Sequence, residues 1–368
     1  MSEKTTTDFD LKTKLEAIDT ETLEPTLTLG LVANYADTDE TRFLMTPEGS
    51  GLLTSGGIKV LMEKGAATDI SFPDSSYRDY GVNIVTRTEA LKADVVLSYR
   101  PLHPHDIHKM KKGAALFSMM GKDLFDVNVI KALMEKEITC GCLDNVLSHN
   151  DEPVFANIID EIDGRGSIIY AQEYLSYLGG GKGVLLAGVA GINPCEVLII
   201  GDGNVVYSAA KAAMAAGAFV TLMNNDISAL QAAKRICGDN LNTIAIHPRV
   251  LLNRIKSADV ILIGECTRPF EFPKNLSPAL KDSVYLLNFD ETHPSISVPR
   301  TVAMALSNVI VNFFDEVIMK GGMNHMIGTT PGVQAGMVTF RGKLVDKLIG
   351  SFLHLPSVDI KVMVAATN

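Results

Sequence analysis

Along most of this chain, short apolar runs alternate with stretches whose apolar positions recur every three or four residues. The runs at 29–33, 66–72, 83–85, 95–99, 114–119 and 138–143 predict strands, and 49–64, 106–111 and 127–136 predict the clearest helices between them. Parallel strands need long crossovers, so this alternation predicts a parallel sheet covered by helices on both faces. One long helix is predicted at 160–178, closed by Gly179, Gly180, Gly181 and Gly183. A second alternating series follows, with strands predicted at 196–200, 219–223, 243–246, 260–264 and 284–289 and helices at 301–320 and 343–352. Residues 1–27 read as an appended arm, with Phe9, Leu11, Leu15 and Ile18 forming a short helical stripe behind Asp8.

At 368 residues the chain exceeds one ordinary domain, and two are expected. Hydrophobic residues at 46% and charged residues at 21% supply real cores and exclude a disordered chain. The net charge of −10 argues against a broad basic face, so neither nucleic acid nor an anionic membrane is an expected partner. Five cysteines, odd in number and scattered, fit reduced thiols in a cytoplasm. Cys140 and Cys142, inside an apolar run, read as small buried hydrophobes. The first ten residues contain no apolar leader core, and no stretch approaches the ~18 apolar residues of a membrane span. A cytoplasmic protein is expected.

The most informative local feature is a strand at 196–200 followed by Gly201-Asp202-Gly203-Asn204-Val205-Val206 and an Ala-rich helix. A turn without Cβ atoms lets the backbone approach a pyrophosphate, and the free N–H groups of the helix start face its charge. Gly201, Gly203, Asn204 and Val205 are therefore cofactor-binding candidates. Where a third glycine normally permits close packing stands Val206, which is expected to push the helix away from the strand. The next strand ends in Asn224-Asn225-Asp226 where a carboxylate usually meets the ribose, making Asn224 a ribose candidate. NAD is favoured, and NADP stays open.

Several motifs occur in succession: Thr41-Arg-Phe-Leu-Met-Thr-Pro-Glu-Gly49, Ala93-Asp-Val-Val-Leu97, Asp160-Glu-Ile-Asp-Gly-Arg-Gly166, Gly180-Gly-Lys-Gly-Val-Leu-Leu-Ala-Gly-Val-Ala-Gly-Ile192 and Val298-Pro-Arg-Thr-Val-Ala-Met-Ala-Leu-Ser-Asn308. From about residue 29 to about 349 the chain thereby resembles the family of alanine dehydrogenases and the NAD-binding subunit of pyridine nucleotide transhydrogenase. The resemblance implies an α/β protein of two doubly wound Rossmann-like domains with a cleft between them. Residues 28–158 and 298–368 would form the substrate domain, and 159–297 the NAD-binding domain. It also implies a homo-oligomer, dimer or hexamer, and oxidative deamination of a small amino acid to its oxo acid, or the reverse.

Residue by residue, the resemblance makes Arg42 the clamp for a substrate carboxylate, and a planar guanidinium suits that role. Arg100 stands where the family has a substrate-binding lysine; it preserves charge but does not shuttle protons. The family's catalytic histidine is replaced by Gly121, or by Lys122 if the alignment slips by one, so Lys122 is an acid/base candidate if its pKa is depressed. Asp290 corresponds to an aspartate near substrate and nicotinamide. Gly264 and Cys266 open another cofactor loop, in which Glu265 is expected to turn away from phosphate. His103, His105 and His108 are read as a polar loop and helix start beside Pro104, and no metal site is expected. The connection from 289 to Val298 is shorter than in the family. Two functional readings stay open: an active amino-acid dehydrogenase, including one that joins an oxo acid to a larger amino acid, and a catalytically weakened relative that binds nucleotide or amino acid as a sensor or scaffold.

Overall fold

A computed structural model describes residues 27–119, 125–266 and 280–365. In chain order the strands are β1 (Leu27–Leu31), β2 (Ile58–Glu63), β3 (Asn83–Val85), β4 (Val95–Ser98), β5 (Ala115–Ser118), β6 (Thr139–Cys142), β7 (Glu196–Ile200), β8 (Phe219–Asn224), β9 (Asn242–Ala245), β10 (Val260–Ile263), β11 (Tyr285–Asn288), β12 (Met337–Phe340) and β13 (Lys343–Leu344). They form two sheets, ordered β13-β12-β6-β5-β4-β1-β2-β3 and β11-β10-β7-β8-β9. The chain leaves the first sheet after β6, builds the second, and returns with β12 and β13.

Burial on both faces explains the unbroken apolar runs. Val95 and Leu97 of β4 enter one core and Val96 the opposite one; Val197 and Ile199 of β7 likewise oppose Leu198 and Ile200. Both sheets are thus two-sided, the condition for doubly wound layers. The helix Val154–Leu175 joins them, lending Phe155 and Ile162 to the first core and Ile168, Ala171 and Leu175 to the second. It starts after Pro153, before the predicted residue 160, and its apolar residues change sides midway. At Gly164 a Cβ would come within 2.3 Å of the Val205 carbonyl, so the glycine is what lets this linker helix lie on the helix Asn204–Ala215.

Other boundaries differ from the sequence pattern. The predicted helix at 49–64 is a helix Pro47–Ser55, capped by Thr46, followed by β2. Gly56 and Gly57, the latter at φ +87°, end the helix, and buried Ile58, Val60 and Met62 then alternate as a strand requires. The predicted strand 66–72 is a series of turns whose Ala66, Ala67 and Ile70 point into the core. The predicted helix 343–352 is shorter, Lys347–Phe352, because Lys343 and Leu344 pair antiparallel with β12, and a further helix, Ile360–Ala365, follows it. β12 also pairs antiparallel with β6, so the first sheet is mixed rather than purely parallel. The helix Pro299–Met319 is apolar and long enough by composition to cross a membrane, contrary to the sequence expectation. Val302, Leu306, Ile310 and Phe314 on it are nevertheless buried in the first core.

Candidate active site

The carboxyl end of β7 opens into the glycine turn. Gly201 has φ +139° and Gly203 φ +90°, conformations that a side chain would strain. No side chain caps the helix Asn204–Ala215, whose first α-helical bond runs from the Tyr207 N–H to the Gly203 carbonyl at 3.1 Å. The N–H groups of Asn204, Val205 and Val206 precede that bond. A Cβ on Gly203 would meet nothing within 4 Å, so open space lies over the turn. An anion fits this geometry.

Val206 does not lift the helix as expected. A Cβ on Gly264 would lie 2.5 Å from Val206 Cγ2, so the bare backbone after β10 receives the valine, while Ala209, Ala210 and Ala213 stay fully buried. Asn224 also departs from its expected role. It is fully buried, donates from Nδ2 to the Gly201 carbonyl at 2.9 Å and accepts the Asp226 N–H at 2.8 Å, so it braces the turn from behind. The side chain of Asn204 is engaged as well, donating to the Asn157 carbonyl at 2.7 Å. Asp202 accepts from the Gly203 N–H and the Tyr207 hydroxyl.

Around this end of the second sheet, burial raises the pKa of the Cys266 thiol, and the nearby carboxylates of Asp202, Asp290 and Glu265 add to the effect. Cys266 is therefore no ready thiolate. Asp290 is exposed on the loop after β11, where its N–H donates to Asn288 Oδ1 at 3.1 Å.

The other wall belongs to the first sheet. Arg42 is only 7% exposed and holds the Glu40 carboxylate with two bonds, Nε to Oε1 and Nη2 to Oε2, both 2.7 Å. Its Nη1 donates to Ser295 Oγ at 2.8 Å, and its guanidinium lies over the Tyr99 ring, 4.6 Å from the centroid. Burial alone would pull the Arg42 pKa down, but the bonds to Glu40 hold it above its ordinary value. Arg100 follows Tyr99 beyond β4, partly exposed, and its side chain has no hydrogen bond or ion pair among the described residues. Sequence reading paired Arg42 with a substrate; the structure pairs it with its own chain.

Three further groups, none singled out from sequence, meet at the seam. Asp163 on the linker helix accepts the Ser295 N–H at 2.6 Å with one oxygen and lies 3.4 Å from His293 Nδ1 with the other. Asp160, one turn earlier, has its pKa pushed up to about 6, first by burial and then by Asp163, Asp144 and Glu265, with His293 opposing. Both aspartates sit in the Asp160-Glu-Ile-Asp-Gly-Arg-Gly166 motif, which was the available signal. Lys122 and Gly121 lie outside the described residues. His103 packs edge-on to Tyr35 at 4.0 Å and His105 lies 3.4 Å from Asp106, placing them in the loop that holds Arg87.

The shift at Asp160 predicts a pH effect on stability. Below the ordinary carboxylate pKa the group is protonated folded or unfolded, and it costs nothing. As pH rises toward about 6 the unfolded chain ionises first, so stability falls, and the loss is complete above that value. Asp160→Asn is expected to stabilise the protein by about 2 kcal/mol near about pH 8 and hardly at all near about pH 4. Urea unfolding at both pH values checks this; an unchanged midpoint at the higher pH refutes it.

Two sheets of this topology, with an uncapped glycine turn at a strand's carboxyl end, define a Rossmann-type nucleotide-binding architecture. Family models for the alanine dehydrogenase/PNT N-terminal domain and C-terminal domain match residues 31–157 and 167–269, and the chain belongs to this family. The alanine dehydrogenase of Bacillus subtilis (strain 168) is 26% identical over 346 residues, covering 84% of this chain and 91% of that protein. That of Methanococcus maripaludis is 26% identical over 354 residues, covering 86% and 94%. Among solved structures, an L-alanine dehydrogenase superposes with a TM-score of 0.79 at 20% identity, covering 88% of this chain and 98% of its own. A transhydrogenase from Sinorhizobium meliloti gives 0.72 at 16% identity, covering 86% and 100%. These two likenesses carry the fold.

Proposed function

We propose that the chain is an NAD-linked oxidoreductase of the alanine dehydrogenase type. It interconverts a small L-amino acid, with L-alanine as the default, and the corresponding oxo acid plus ammonia. The observation that carries this reading is the open turn over Gly203 with its uncapped helix start. The named relatives support the choice of chemistry.

In this reading the bare backbone of Gly201 and Gly203 lets the pyrophosphate approach and the N–H groups of Asn204 and Val205 hold it, with Gly264 keeping Val206 seated beneath the turn. The bound nicotinamide supplies the hydride acceptor or donor. The chain's own residues orient the substrate. Arg100, with no partner among the described residues, takes the substrate carboxylate. Arg42 fixes the adjoining wall through Glu40, Ser295 and Tyr99. Asp290 belongs to the nicotinamide side. Exposed Tyr177, Leu178, Leu185 and Ile192 in the glycine-rich segment support a homo-oligomer.

One observation favours the second reading, a weakened relative that binds without turnover: Glu40 already occupies Arg42. The two readings separate when NADH consumption is followed with pyruvate plus ammonium and then with a panel of oxo acids and amines. Turnover establishes the dehydrogenase. NADH binding without turnover across the panel establishes the binder, and absence of binding contradicts both the nicotinamide assignment and the reading of the turn from Gly201 to Val206.

A further inference from the structure

We propose that His293, held by Asp163, is the acid/base group of the cleft. The inference rests on the dehydrogenase reading, since it assigns a residue to the proton-transfer half of that reaction. Once hydride has left Cα for the nicotinamide dinucleotide, an iminium must take up water and release ammonia. That sequence needs a side chain able both to accept and to donate a proton near neutral pH.

The described side chains of the seam leave few choices. Arg42, whose bonds to Glu40 hold its pKa above the ordinary value, keeps its proton. Tyr99 is wholly enclosed, and burial drives its hydroxyl far above its ordinary range. Asp160 is partly buried and faces the like charge of Asp163, whereas the His293 side chain is half exposed at 51% and so is the more open of the two to substrate and water. With Nδ1 turned to Asp163 Oδ2 at 3.4 Å, the Nε2 of His293 has no partner among the described residues. Such a pair tightens as a site closes on its substrate, and the carboxylate then fixes tautomer and ring orientation.

The short loop after β11 is fastened where the chemistry requires it. Ser295 gives its N–H to Asp163 and receives Arg42 Nη1, and the Thr41 hydroxyl donates to the Ile296 carbonyl at 2.7 Å. Gly166 makes room for Pro294: a Cβ there would lie 3.0 Å from Pro294 Cβ. Ser295 therefore ties the loop to the linker helix and to the arginine wall, and His293, two residues earlier, is set with Nδ1 3.4 Å from Asp163, while Asp290 precedes it on the cofactor side. Aspartate and histidine are 130 positions apart in the chain, and the linker helix brings them together.

The step is redox-neutral. Water oxygen bonds to the iminium carbon, the C=N π pair moves to nitrogen, and the water's extra proton passes to His293. The imidazolium then protonates the carbinolamine nitrogen. The C–N bond breaks with its electron pair leaving on ammonia, the carbonyl forms, and the hydroxyl proton returns to His293. Iminium plus water becomes oxo acid, ammonia and one proton on the imidazole. The groups facing His293 are Asp163 and Asp160 of the linker helix, with Asp144 after β6 and Glu265 after β10 acting on Asp160.

The test uses the full chain and His293→Gln, His293→Gly and Asp163→Asn, with NADH titrated into each. Expected are NADH affinities within roughly threefold of the parent and a kcat lowered by roughly 10²–10⁴ in both His293 variants, with KM for the oxo acid little changed. Added imidazole restores rate to His293→Gly, and Asp163→Asn loses kcat by a smaller factor at unchanged KM. Independently of turnover, the His293 ring resonance, identified by its loss in His293→Gln, shifts when pyruvate is added to the NADH-bound protein. A parental kcat in His293→Gln, or a ring resonance unmoved by pyruvate, overturns the assignment while NADH still binds. Failure of the parent protein to bind NADH overturns the dehydrogenase reading and this assignment with it.

Discussion

Arg42→Ala is expected to destabilise the fold by roughly 3–5 kcal/mol, because it strands the Glu40 carboxylate, 5% exposed, without its partner. The lost ring contact with Tyr99 and the lost bond to Ser295 add to this. Removing both charges together, as Glu40→Gln with Arg42→Met, should recover most of the loss, since a neutral pair of similar volume leaves no buried charge. Urea unfolding of the single and double variants checks the prediction. Equal midpoints for Arg42→Ala and the parent would show that the pair contributes nothing and would free Arg42 to be a simple substrate clamp.

Arg100→Ala should behave in the opposite way. Its guanidinium is partly exposed and makes no ion pair among the described residues, so stability should change by no more than about 0.5 kcal/mol. Losing charge-assisted bonds to a substrate carboxylate should instead raise KM for the oxo acid by roughly 10–100-fold. Arg100→Lys, which preserves charge but not the planar fork, should fall between. Steady-state kinetics decide: an unchanged KM in Arg100→Ala removes that residue from the site.

The contrast between the arginines marks where sequence stops being informative. The second sheet was legible because its strands are apolar on both faces and punctuated by glycine: β7 has the predicted bounds, and the Gly201 and Gly203 turn follows it directly. β2 was not, since its residues also suit a helix continuing from 49 and only Gly56 and Gly57 force the break. The β12 and β13 hairpin is too short to announce itself and takes its order from pairing with β6, about 200 positions earlier. The site shows the same limit. A guanidinium two positions from a carboxylate signals charge, but not that the carboxylate folds back on it. Val206 warned of a displaced helix, and nothing in the sequence connected it with Gly264, 58 positions further along. Motif residues located the cleft; long-range partners determine what each does there.

The central claim is that the turn from Gly201 to Val206 receives a dinucleotide. Calorimetric titration of NADH into the parent protein and into Gly203→Val tests it most directly, because a valine Cβ there projects into open space rather than into the core. One site per chain is expected in the parent, in the roughly micromolar to millimolar range of such ligands. The variant should stay folded, less stable by about 1–3 kcal/mol from the φ of +90°, and lose that binding. Equal NADH binding by parent and variant, or none by the parent, would contradict the account.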